Sequence, residues 1–529
     1  MNSLYPFTST GPTRRGLLRA GGAGAALLTL AACRSAASQD ESTDGAGAGG
    51  EPRRGGTLTV AHGVDFAPGL LFSQSSMNLP HRLVFNTLTR YDDDLKPQPE
   101  LASSWDISQD GTTVTLRLRD DVTFHDGRPF TADDVVFAIE NLQNPERAAQ
   151  LRATAVAITG LDKRGDHELV LTLDHPVGNL FDLFEFMIIT DPNAVDDAIT
   201  GERLVGTGPF RFEEWRPGAG LTLTRNEAYW RPDRPYLDRV EIRVITQADS
   251  LVSSLRTGQS HLSLGVAGRD AAPLADDSAF EIVSYETGGG AYYVGANVDV
   301  RPTNDKTVRQ AIAWAIDRDR IVEQALGGFG LASAAPWPES SPAFSEANRT
   351  HYRHDPDRAR ELLREAGAEN ISLPLGHSST PGLTVLAEMV QYDLEQVGIR
   401  TELQPYDPTN AQRRLISGEM PALWTMQHGF AQVTPSTLVV SAYPFNEAQN
   451  TSHFSSPEYT ELVQDAWRAT DPRGEDALGL YQRISDLLLD EAFIIDLAVL
   501  PALQVARAAV RGATVNKFSY LNLDDAYLA

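Results

Sequence analysis

The sequence predicts a mixed α/β protein on three observations. Strand and helix signatures alternate along the chain, no fixed-period repeat runs through it, and its composition is that of an ordinary globular protein, 42% hydrophobic and 22% charged. Without its leader the chain keeps roughly 500 residues, enough for about three domains or lobes with large cores. A formal net charge of −26 argues against nucleic acid and anionic lipid as partners, because such a field repels both. A merely solubilising acidic surface accounts for the same number.

The first segments do not belong to the fold. Thr13-Arg14-Arg15-Gly16-Leu17-Leu18 is a basic start that leads into the small and apolar stretch from Gly21 to Ala32, the pattern of a signal peptide. The adjacent arginines Arg14 and Arg15, followed by apolar residues, resemble a twin-arginine export signal. Leu30-Ala31-Ala32-Cys33 resembles the lipobox of bacterial lipoproteins, in which the cysteine after the cut carries diacylglycerol. Cys33 is the only cysteine of the chain, so a disulfide within it is excluded. The alternative is a secreted protein cut at an A-x-A-like site with an incidental cysteine. Residues 1–32 are therefore expected to be leader, and 33–56, with the Gly- and Ala-rich run Gly45 to Gly50, a lipid-anchored tether too poor in bulky apolar residues to fold. No later stretch approaches the ~18 apolar residues of a membrane-spanning helix.

Folded structure is expected to begin at the strand Thr57-Leu58-Thr59-Val60. Val114, Leu116 and Leu118 alternate with Thr and Arg residues, a half-buried strand. Thr131 and Asp134 make a capping-box pair, and Val135, Ile139 and Leu142 the apolar stripe of the helix that follows. Gly288-Gly289-Gly290 lacks the spacing of a nucleotide-binding loop and is expected to be a hinge or crossing point. Val308, Ala311, Ile312, Ala315 and Ile316 mark a second helix. Asp355, Pro356 and Gly367 bracket a third, with Ala359, Leu362, Leu363 and Ala366 on one face.

Catalytic and metal motifs fail at residues their chemistry requires. Gly376-His377-Ser378-Ser379-Thr380 begins like a nucleophile elbow but carries Thr in place of the second glycine. His351 and His354 have no third ligand nearby, and HExxH is missing. No cofactor, metal or catalytic residue is implied, and the profile favours binding over catalysis.

Five blocks then carry a more specific signal. They are Leu101 to Trp105, Leu116 to Val135 (with Val122-Thr123-Phe124-His125-Asp126-Gly127-Arg128-Pro129-Phe130), Gly206-Thr207-Gly208-Pro209-Phe210, Arg225 to Trp230, and Val308 to Arg318. In this order they resemble the extracellular solute-binding protein family 5, the oligopeptide-, dipeptide- and nickel-binding proteins of ABC importers. The resemblance implies a two-lobed, type II periplasmic-binding-protein-like fold with a hinge between the lobes. It implies domain I at 57–90, 198–290 and 492–529, domain II at 91–197 and domain III at 291–491. It also implies a monomer that captures oligopeptides or dipeptides between its lobes and delivers them to ABC permease and ATPase subunits, touching the membrane only through its anchor.

Peptide binders of this family often carry an aspartate for the peptide's amino terminus after a tryptophan. The corresponding stretch here, Trp424 to Ser436, has no acid, and none of the residues from Met420 to Asn446 is Asp, Glu, Lys or Arg. At 22% charged, a stretch of that length averages about six. One reading is a buried strand and loop, where unpaired charge is costly. The other is a ligand without an essential ammonium group, contacted by Trp424, Phe430, His428 and Gln432. Phe66 and Trp337 are weaker candidates for the cleft. Oligosaccharide is the alternative ligand and a metal chelate through His428 the third. A lipoprotein sensor or enzyme on the same scaffold is the alternative from another class.

Overall fold

The computed structural model describes residues 52–72, 79–92, 94–429, 434–516 and 519–529. Arg14, Arg15, Cys33, Phe430 and Gln432 lie outside the described residues.

Two long strands, Phe280–Ala296 and Ile494–Arg507, pair antiparallel through the middle of an eleven-stranded sheet. Ile494 to Leu500 is a run of seven consecutive buried residues, as expected for a strand covered on both faces. On one flank follow Leu423–His428, Ser372–Ser378 and Arg400–Tyr406. On the other flank lie Leu262–Leu264, Thr57–His62, Arg239–Val244, Gly220–Arg225 and Phe210–Arg216. Parallel neighbours occur on both flanks, Ser372–Ser378 beside Arg400–Tyr406 and Thr57–His62 beside Arg239–Val244. The first pair is joined by the helix Pro381–Gln396, which packs on both of its strands, the crossover that parallel pairing demands.

The pairing of the two long strands slips between Tyr285 and Gly290. Backbones approach closely there: a β-carbon on Gly289 would meet the Leu500 carbonyl oxygen at 2.1 Å, and one on Gly290, at φ +113°, would meet the His428 carbonyl oxygen at 2.1 Å. The glycines expected at a hinge or crossing point thus stand where the central pair of the sheet changes register.

A separate four-stranded antiparallel sheet has the order Ala102–Ile107, Thr113–Leu118, Glu168–Leu173, Ile158–Lys163. Its second strand is followed by His125, whose N–H donates to the Gly206 carbonyl at 2.9 Å and whose Nε2 donates to the Gly208 carbonyl at 3.0 Å, tying it to the second flank. Val114, Leu116 and Leu118 face its core. The helix Ala132–Gln143 begins where the capping pair predicts, with the Asp134 carboxylate accepting from the Thr131 backbone N–H at 2.8 Å. Asp355 accepts from the Arg358 N–H at 2.9 Å and starts the helix Pro356–Glu365. The helix read through Ile316 stops at Ala315. Ile316 is extended because Asp317 next caps a new helix, Arg318–Leu326, through the Arg320 N–H at 3.0 Å.

Candidate functional site

Two cavities bear on ligand capture, one over the crossing strands and one along the seam where Tyr91, Pro97 and Phe181 meet Pro342, Thr434 and Arg473. One, of about 180 Å³, sits over the crossing strands and is bounded by Ser284, Leu331, Pro338, Glu339, Leu500 and Pro501. The other, of about 220 Å³, has Tyr91, Leu95, Lys96, Pro97 and Phe181 on one side and Pro342, Thr434, Pro435 and Arg473 on the other. Its walls are largely aromatic and proline, and Arg473 is already engaged, donating to the carbonyl oxygens of Asp94 (3.0 Å) and Leu95 (2.9 Å).

Beside this second cavity a helix with unusual composition crosses the seam. Leu180–Phe186 reads Leu-Phe-Asp-Leu-Phe-Glu-Phe, and its two acids, three residues apart, share one side. Both are buried. The Asp182 carboxylate accepts four hydrogen bonds: from Tyr91 Oη (2.7 Å), Thr434 Oγ1 (3.0 Å), the Thr434 backbone N–H (3.3 Å) and Thr437 Oγ1. Burial still holds its pKa above the ordinary carboxylate value, against the pull of those donors. Glu185 accepts from the Tyr91 N–H (2.6 Å) and Asn516 Nδ2 (3.0 Å), and burial pushes its pKa up to about 7. Burial, with the charge of Asp182, keeps the Tyr91 phenol protonated well above its ordinary range, so it stays a donor at neutral pH.

One helical turn before, Asn179 continues the same seam. Its Nδ2 donates to Thr437 Oγ1 at 3.0 Å and its Oδ1 accepts from Trp467 Nε1 at 2.8 Å, while the Gly178 N–H donates to the Trp467 carbonyl at 2.7 Å.

Trp424 and His428 stand on one face of the strand Leu423–His428, with Met426 between them, opposite Gly295 and Ala291. Trp424 is wholly enclosed by protein. His428 is nearly so, and its ring meets the edge of Phe445 at 6.0 Å. Only Gln427 of this strand is exposed, and its Nε2 donates to the Gly289 carbonyl at the register slip, 3.0 Å away. Trp337 lies apart, buried, with Nε1 donating to Ser485 Oγ at 2.8 Å. Phe66 belongs to the other flank and packs edge-on against Trp215 at 5.6 Å. The structure therefore brings Trp424 and His428 together, and neither Phe66 nor Trp337 joins them.

The charge-free segment is buried along most of its described length, including every residue of the helix Pro435–Ser441 except Ser441. The acid that meets it comes from elsewhere in the chain, as Asp182. Sequence reading missed Asn179, Asp182, Tyr91, Thr434 and Thr437. The signal available was the pair of acids inside an otherwise apolar helix.

His354 lies 3.6 Å from the Asp317 carboxylate, and Ser378 Oγ bonds Thr380 Oγ1 at 2.9 Å. Among the described residues no three His, Cys, Asp or Glu side chains converge in a metal-binding group, and no helix is long and apolar enough to cross a membrane.

The middle-region model of the bacterial extracellular solute-binding proteins, family 5, matches residues 96–449. The chain is 26% identical to heme-binding protein A of Haemophilus influenzae, over 94% of this chain and 96% of that one. It is also 26% identical to di/tripeptide-binding protein 1 of Pseudomonas aeruginosa, over 86% and 90%. Among solved structures, the periplasmic binding protein DppA of Helicobacter pylori, in complex with the peptide STSA, superposes with a TM-score of 0.77 at 24% identity, covering 89% of this chain and 99% of that one. That likeness establishes the shared periplasmic-binding-protein fold.

Proposed function

Because this chain belongs to the bacterial extracellular solute-binding proteins of family 5, we propose that it captures di- or oligopeptides outside the cytoplasm and presents them to the permease of an ABC importer. The observation that carries this reading is the pair of crossing strands whose pairing slips at Gly290, with one cavity over them and a second between the elements of Tyr91 and Phe181 and those of Thr434 and Arg473. Such a pair is the material of a hinge: solute that contacts both halves binds the closed form better and shifts the population toward it. The peptide-binding names among its relatives supply the ligand class. Peptide readout through main-chain hydrogen bonds suits a strand end such as that at His428, where Phe430 and Gln432 follow.

One observation favours a second ligand class. The segment from Met420 to Asn446 carries no acid, and Asp182 is already saturated by its four donors. No described acid of that segment waits for a peptide's amino terminus. A neutral ligand such as an oligosaccharide suits a segment without acid, whose sequence also offers the aromatic and amide residues Phe430 and Gln432.

A thermal-shift screen with di- to pentapeptides, oligosaccharides, nickel chelates and hemin separates these readings, since a ligand of the native state raises Tm by mass action. Peptides are expected to raise Tm, and amino-terminal acetylation to leave the shift intact. If peptides leave Tm unchanged while another class raises it, the peptide reading fails. Loss of the shift on acetylation would overturn the reading of the uncharged segment.

For location, the leader with Arg14 and Arg15 and the cysteine at position 33 support export by the twin-arginine route and diacylglycerol anchoring at the outer face of the membrane. One acyl chain holds a protein weakly, whereas two hold it stably.

A further inference from the structure

We propose that Asp182 is the closure residue of this receptor: by accepting hydrogen bonds from Thr434 and Thr437 across the seam, it holds the cleft shut without solute and slows the escape of solute once bound.

Asp182 and its helix pack with the four-stranded sheet side of the molecule, while Thr434 and Thr437 belong to the segment that follows the strand Leu423–His428. Phe181 packs against Trp105 of the four-stranded sheet at 5.1 Å, and that side is tied through His125 to the second flank, whereas Thr434 and Thr437 follow a strand of the first. The contact therefore joins the two flanks, and a motion that separates them about the slipped crossing strands must break it. Three of the four donors to Asp182 come from the far side, two of them from Thr434. Asn179 extends the contact to Thr437 and Trp467, so the helix start and its first turn are both committed to the seam.

The chemistry of the contact is suited to opening and closing. No cation is among the partners of Asp182 within the described residues. A carboxylate buried among hydroxyls is not the choice that maximises stability, because well-packed apolar residues in the same place hold as well or better. Each of its bonds, however, has an equivalent with water. When the halves separate, the carboxylate and the threonine hydroxyls hydrate, so this contact parts without leaving a buried polar group unpaired. An apolar seam would stay shut or attract other surfaces. Closure that is favourable but cheap to reverse is what a receptor needs if solute is to shift a balanced equilibrium.

The escape part of the proposal rests on the receptor function proposed above; the closure part does not, and it is tested without any ligand. Hydrogen exchange in the ligand-free protein is followed by mass spectrometry over 175–186 and 434–441, with 383–394 in the core helix as the control. The variants are Asp182→Ala and, should that fold poorly, Thr437→Val, which removes one donor and leaves the carboxylate in place. Exchange in both seam segments is expected to rise roughly tenfold in either variant while the control segment is unchanged. Unchanged seam exchange in both variants overturns the proposal. A uniform rise that includes the control also overturns it, because Asp182 would then support the fold at large and not the closed form.

Discussion

Gly295 lies directly opposite Trp424 in the antiparallel pair, and a β-carbon built on Gly295 would stand 2.2 Å from the indole Cε2. The tryptophan is fully enclosed, so the ring has no space into which to retreat. Gly295→Ala is expected to destabilise the protein by about 2 kcal/mol or more through overpacking. Trp424→Ala is expected to cost about 4 kcal/mol by leaving a cavity. The two sites share one volume, so their effects do not add. In the Trp424→Ala background the added methyl enters empty space, and Gly295→Ala should be nearly neutral. Denaturant unfolding of the four proteins checks this, and an equal cost for Gly295→Ala in both backgrounds would contradict it.

His81 supplies a pH dependence. Its ring stacks on Tyr520 at 3.8 Å, and its Nε2 donates to the Phe186 carbonyl at 3.0 Å. Burial, with Arg82 adjacent, drops its pKa to about 3. The folded protein therefore binds fewer protons at this site than the unfolded chain between pH 3 and about 6.5. Its contribution is complete above about 6.5 and is lost progressively as pH falls, reaching roughly 2 kcal/mol of lost stability by pH 5. His81→Phe keeps a stacked ring and cannot titrate. Its stability relative to wild type should improve by about that amount between pH 7 and pH 5, as read from urea midpoints. A pH-independent difference would mean that His81 does not remain neutral in the fold.

The parts of this molecule that were legible in the sequence are those whose physics is local. Thr131 with Asp134, and Asp355 with Arg358, act across three residues, so the pattern and the hydrogen bond are the same object. Alternation at Val114, Leu116 and Leu118 reports one buried face of a strand in the same way. The seam is different. Asp182 and Thr434 are separated by 252 residues, and nothing near either announces the other. The reading of Met420 to Asn446 noted that charge was missing but not that a carboxylate from another element faces it. Phe66 and Trp337 illustrate a second limit: a large aromatic in a loop or after a strand has the same sequence signature whether it packs inside or lines a cleft.

Glu185 titrates in the opposite sense to His81. Its pKa is raised to about 7 by burial, above the ordinary value of 4.5. The folded state then holds a proton that the unfolded chain releases between about pH 4.5 and 7, so stability falls as pH rises through that window, by roughly 3 kcal/mol in all. Glu185→Gln removes the titration while keeping an amide oxygen to accept from the Tyr91 N–H. Whatever its fixed cost, the variant should gain roughly 3 kcal/mol on wild type between pH 4.5 and pH 7.5. Parallel stability profiles for the two proteins would show that Glu185 is ionised in the fold throughout.

The proposed lipid anchor at Cys33 has a test of its own. If Cys33 carries diacylglycerol, the receptor body stays within reach of the membrane. Captured solute is then presented to the permease at a raised effective concentration, with no gain in the affinity of the binding site itself. Cys33→Ser should move the protein from the membrane fraction to the soluble one. Tm and the ligand-induced Tm shift should be the same as for the protein freed of its lipid, while uptake of solute by cells falls. Retention of the variant in the membrane fraction would rule out the anchor, and unaltered uptake after release would rule out its role in delivery.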